Sequence, residues 1–146
     1  MTRQLNRELE GIPTEVLIQR FSDRVLVLVT QLGKVGNLIQ ASIPDTTPLL
    51  PPASPDDLPE PSPAIQLTPL LGQAPSEHMH TLHSLYAAQI ATIVWFAASN
   101  NPLDITRRSV IVGIALRKTN ADPDQTLSEH ERAFFGGVMK MVSEIA

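Results

Sequence analysis

The sequence predicts an α+β fold: an antiparallel β-sheet meander with two helices packed on it, expected to be dimeric. Three observations predict it. Short runs rich in valine, isoleucine and leucine recur through the first 43 residues, divided by turn residues at Ser22-Asp23 and Gly33–Gly36. Two longer segments, after Ser76 and after Thr126, carry apolar residues three and four positions apart, the period of a helix that buries one stripe. The resulting order, β-β-β-loop-β-α-β-α, suits one sheet with helices laid on it.

Each element has its own signal. Residues 1–11 are polar and are expected to be frayed. Thr14 to Phe21 reads as a strand, with Val16 and Ile18 on one face and Leu17 and Phe21 on the other. Arg24 to Gln31 is a strand with Val25, Val27 and Val29 on one face and Leu26 and Leu28 on the other, an apolar pattern expected of a strand covered on both sides. The glycines of Gly33-Lys34-Val35-Gly36 permit the positive φ of the next turn, and Asn37 to Ile43 is a third strand. Ala64 to Leu71 is a fourth, in which Pro69 points to an edge or a strand end. Ser76 is an N-cap, and Met79, Leu82, Tyr86, Ile90, Ile93 and Ala97 form the buried stripe of a helix that Asn100-Asn101-Pro102 ends. Ser109 to Leu116 is again a two-sided apolar strand, and Thr119 to Pro123 a turn. Thr126 and Glu129 fit a capping box that opens a last helix, with Phe134, Val138, Met141 and Ile145 in line.

The 146 residues suit a single domain over 1–146, long enough to bury a core without disulfides. There is no cysteine, hence no thiolate metal site and no thiol nucleophile. The formal charge of −4 is opposite to that of a nucleic-acid binder. No apolar run is long enough to span a bilayer, and the start lacks the apolar stretch of a signal peptide, so a soluble intracellular domain is expected. The charge is local. Residues 44–63 hold eight of the 13 prolines, four acids (Asp45, Asp56, Asp57, Glu60) and no base, leaving eleven acids against eleven bases elsewhere. Eight prolines in 20 residues exclude helix and central strand, so 44–63 is expected to be a disordered or extended acidic loop.

No constellation of catalytic groups emerges. Gly33-Lys34 lacks the rest of a phosphate loop: Leu28 stands where its first glycine belongs and Val35 where its Ser or Thr belongs. Asp122, Asp124 and Thr126 have the first spacings of a calcium loop, but Leu127 and Ala133 occupy its glycine and glutamate positions. His78, His80 and His83 crowd one stretch; the reading adopted is a partly exposed first helical turn, with a zinc site as the alternative. On a helix His80 and His83 would share a face that His78 does not. Arg107-Arg108 and Arg117-Lys118 mark the exposed ends of the last strand, or else a small basic patch. Two features suggest association. Gly136-Gly137 interrupts the last helix, either as a kink or frayed end or for close helix approach, for which a dimer interface is one place. Two helices have limited means to cover both faces of the sheet, so the second face is covered either within the chain or by a partner.

A resemblance joins these observations. Gly11-Ile12-Pro13-Thr14-Glu15-Val16, then Val25-Leu26-Val27-Leu28-Val29-Thr30-Gln31-Leu32-Gly33-Lys34-Val35-Gly36, resembles the N-terminal meander of the proteasome assembly chaperone 3 family, and Leu70-Leu71-Gly72-Gln73 before the long helix adds to it. The resemblance implies a non-enzymatic chaperone of cytosol and nucleus. It would assist assembly of α-type subunits into the ring of the proteasome core particle, as a homodimer or with a chaperone-4-like partner. It supplies no catalytic, cofactor or metal residue, and the acidic insert is longer than the family's connection. Reading the residues alone leaves two competitors: a dimeric roadblock- or longin-like trafficking or signalling scaffold, and an unrecognised hydrolase.

Overall fold

The computed structural model describes residues 2–31, 33, 36–49, 52, 54, 57–74, 76–99, 107–116 and 129–146. The turns at 100–102 and 119–123, the lysine and valine of the 33–36 turn, Arg117-Lys118, the 122–127 stretch and the Thr126 cap lie outside these residues. The elements are β1 (Thr2–Leu9), β2 (Ile12–Arg20), β3 (Arg24–Thr30), β4 (Asn37–Ser42), β5 (Gln66–Leu71), α1 (Glu77–Ala98), β6 (Ser109–Ala115) and α2 (Glu129–Ile145). They form a mixed six-stranded sheet in the order β1-β2-β3-β6-β4-β5 with two helices packed on it, an α+β fold. Among the described residues no helix is long and apolar enough to cross a membrane.

The meander proper is β1-β2-β3, and the sheet departs from pure antiparallel pairing at one place. β6 inserts between β3 and β4, parallel to β3 and antiparallel to β4. Single-strand patterns do not encode neighbours, so the sequence of β3 and β4 reads equally well as a hairpin. The 31–36 connection instead spans the end of β6, where the Gln31 amide donates to the Ala115 carbonyl. Gly36 sits there at φ 72°, and a Cβ on it would run into the backbone carbonyl of Ile114. Gly33 also has positive φ, 68°, but faces open space.

The N-terminus is not frayed. Thr2–Leu9 pairs with β2 along its whole length through a two-residue hairpin loop, Glu10-Gly11, with φ of 50° and 77°. Backbone pairing and two inward leucines, Leu5 and Leu9, hold an otherwise polar strand. Its ends are tied to α2: Arg7 Nη2 meets Glu144 Oε2 at 2.7 Å, and Arg3 donates to the Ile145 carbonyl. β5 closes the other edge, where Pro69 loses no internal ladder bond; its register with β4 shifts between Leu38 and Ile39.

The core lies on one face of the sheet. Val16, Ile18, Val25, Val27, Val29, Ile39, Val110, Val112 and Ile114 are all at most 3% exposed and form the floor. α1 lies over β4, β6 and β5, α2 over β1 and β2, and the helices touch each other. Ser76 caps α1 by accepting from the Met79 amide at 3.2 Å. From Gln89 to Trp95 every residue of α1 is buried, more than one helical stripe. The described part of the insert supplies the extra cover. It contains neither helix nor strand, but Pro59 is buried and its carbonyl accepts from Gln89 Nε2 at 2.8 Å.

A polar pair crosses the core between β4 and α1: Asn37 Nδ2 and His83 Nδ1 lie 3.2 Å apart, both residues at most 7% exposed. Burial, and to a lesser degree the nearby His80, hold the His83 imidazole below its ordinary pKa of 6.5. The unfolded chain therefore binds more protons than the folded one below that value, and the stability contributed by neutral His83 is complete above it and lost as pH falls. We expect the urea midpoint to drop between about pH 7.5 and about pH 5.5, and the drop to shrink in His83→Gln. The same measurement at neutral pH should show Gly36→Ala losing about 3 kcal/mol from backbone overlap plus positive φ, and Gly33→Ala only about 1 kcal/mol.

Candidate interaction surface

The residues that suggested chemistry are brought apart. His78 Nε2 lies 2.7 Å from Glu131 Oε2, joining the first turns of α1 and α2. His83 is buried against Asn37, while His80, one turn before it, is exposed. The three imidazoles do not converge, and among the described residues no group of His, Asp and Glu is arranged to hold a metal ion. The first turn is partly exposed, as expected, and of the three histidines only His83 lies deep under α1. Its histidines at 78 and 83 are packing and linking groups, because the inward face of α1 begins at Met79 and includes Leu82, His83 and Tyr86. Tyr86 stacks edge-on against Phe135 at 4.9 Å, and its burial, then the Glu131 carboxylate, push its phenol pKa up, keeping it neutral.

Arg107 and Arg108 are held by loop carbonyls. Arg107 Nη1 donates to Pro44 O at 2.9 Å, and Arg108 Nε donates to Ser22 O at 3.0 Å. Their register at the start of β6 uses them to tie the 20s turn and the insert to the strand end. The glycine pair leaves α2 unbroken. Gly137 lets Leu9 of β1 pack within 2.9 Å of where a Cβ would stand, and Gly136 faces open space. The close approach is therefore to the chain's own edge strand.

What remains is the face of the sheet away from both helices. Alternation places Leu17, Leu26, Leu28, Leu38 and Ile111 there, and each is only partly buried while the neighbouring inward residues are at most 7% exposed. Register aligns them. Leu17 pairs with Leu28, Leu28 with Gly113, Gly113 with Leu38, and Leu38 with Leu71, an apolar row crossing five strands. The next row runs Gln19, Leu26, Ile111, Gln40 and Thr68, apolar at its centre and polar toward its ends. At the end of the first row Leu70 and Leu71 are 46% and 65% exposed on the edge strand. The expectation that β3 is covered on both sides is met within the described residues on its valine face alone. Among the described residues this face is apolar at its centre and polar toward its ends, the anatomy of a binding surface. The sequence signal for it was present, in Leu26 and Leu28 opposite the valines; that both helices would choose the valine face was not.

No protein-family model matches the chain. A stretch of 29 residues, 20% of the chain, is 55% identical to proteasome assembly chaperone 3 of Bos taurus, and spans 24% of that protein's length. The fold is similar over 98% of both chains, with a TM-score of 0.54 and 11% identity, to a chain in the crystal structure of a novel chaperone complex for yeast 20S proteasome assembly.

Proposed function

We propose that the chain is a non-enzymatic chaperone of proteasome core-particle assembly. It binds α-type subunits as a dimer, in cytosol and nucleus. The observation that carries the reading is the 29-residue identity with proteasome assembly chaperone 3, and the likeness of fold to a chain of a yeast proteasome-assembly complex agrees with it. The apolar sheet face that neither described helix covers supports the dimer. Burying apolar surface contributes about 25 cal/mol per Å², and a stable contact of ordinary size takes about 800 Å² from each partner. The partner is a second copy or a related chaperone-4-like chain; a net charge of −4 disfavours nucleic acid.

Affinity purification of the chain from its source cells under mild conditions should recover α-type proteasome subunits. Recovery of no proteasome subunit at all would overturn the assembly role, and copurifying small GTPases or coat components would favour the trafficking scaffold. Light scattering on the purified chain should give twice the 15.9 kDa mass, or a heterodimer mass with its related partner. Leu28→Glu, which adds a charge to the apolar row without touching the valine floor, should weaken that association at least about tenfold. A wild-type monomer with no related partner in the purification would remove the dimer.

A further inference from the structure

Four of the ten prolines between Pro44 and Pro75 follow a Ser or Thr: Thr47-Pro48, Ser54-Pro55, Ser62-Pro63 and Thr68-Pro69. A proline forces the residue before it into extended backbone, the form in which a protein kinase reads a substrate strand. Two of these hydroxyl residues share one place. Thr47 and Ser62 both line a cavity of about 350 Å³ between the insert and α1, together with Leu49, Pro59, Thr92 and Phe96. Both are partly exposed. The insert is held over α1 by the Gln89–Pro59 bond of 2.8 Å. Ser62 anchors the return into β5, its Oγ accepting from the Ala64 amide at 3.1 Å and its carbonyl from the Ile65 amide at 3.2 Å. The cavity lining includes Glu60 and no lysine or arginine.

We propose that Ser62, and with it Thr47, is a modification site for a proline-directed protein kinase, and that phosphorylation lifts the insert off α1. In the transfer the bond between the γ-phosphorus of ATP and the oxygen bridging it to ADP breaks. A bond from that phosphorus to the hydroxyl oxygen forms, the hydroxyl proton passes to the kinase's base and on to solvent, and ADP leaves. The new group carries a charge of about −1.5 to −2. On Ser62, beside Glu60 and in a largely apolar cavity whose lining holds no lysine or arginine, it meets no counter-charge in that lining, and keeping it there costs its hydration. Arg107, on the Pro44 carbonyl that also takes the Thr47 amide, makes Thr47 the weaker of the two sites. Swinging the insert outward restores hydration, breaks the Gln89–Pro59 bond and uncovers Gln89, Thr92 and Phe96. The insert is then a strap that controls access to the second half of α1.

The test uses the full chain with ATP and a proline-directed Ser/Thr kinase, and a standard peptide substrate turned over in the same tube. The modified sites are mapped by mass spectrometry. We expect phosphate on Ser62 or Thr47, amide exchange over residues 58–65 at least tenfold faster, and a shift of the Gln89 side-chain amide resonance. Ser62→Ala/Thr47→Ala should show none of these. No phosphate at either residue while the peptide is turned over overturns the proposal. So does phosphate at Ser62 or Thr47 with residues 58–65 and Gln89 unchanged.

Discussion

The parallel ladder between β3 and β6 is the constraint on which the rest of the molecule depends. It puts the two most β-branched strands side by side, so that Val25, Val27 and Val29 lie in register with Val110, Val112 and Ile114. With both edges of β6 occupied, its backbone donors and acceptors are met inside the sheet, which suits a strand buried on its inner face. Placing β6 there divides β3 from β4 and obliges their connection to pass the end of a third strand. Gly36 meets that demand, lacking the Cβ that would strike the Ile114 carbonyl. The valine floor is then continuous enough for two helices lying side by side, and both settle on it.

That choice makes the molecule one-sided. The core beneath the two helices is built on the valine face, and the leucine face carries a row of aliphatic side chains crossing five strands. The polar groups within the fold hold elements together. Asn37 and His83 tie β4 to α1, His78 and Glu131 join the two helix starts, and Arg107 and Arg108 hold loop carbonyls. These groups link one element to another, while the sheet face away from the two helices is apolar at its centre.

The insert belongs to the fold more than its composition suggests. Proline and acid content keep it from helix or strand, but they do not keep it from packing. Pro59 is buried, Leu49 and Ala64 reach the core, and the Gln89 amide finds its acceptor on the insert's backbone. α1 is correspondingly apolar beyond a single stripe, because three surroundings meet it: the sheet, α2 and the insert.

Much of this was legible from local pattern. The strands at 12–20, 24–30, 37–42, 66–71 and 109–115 lie where alternating or continuous apolar runs place them, and α1 begins at the cap formed by Ser76. Period and capping are properties of neighbours in the chain, so sequence alone determines them. β1 was missed because a polar edge strand owes its existence to β2, although the Glu10-Gly11 turn was a signal for it. The position of β6, the face both helices chose, the burial of His83 and the packing of the insert were decided only by tertiary structure. Each depends on residues far apart in sequence competing for the same apolar surface. The leucine row shows the division most clearly. Sequence determined that β3 has two apolar faces, and the docking of α1 and α2 decided which of them the two helices cover.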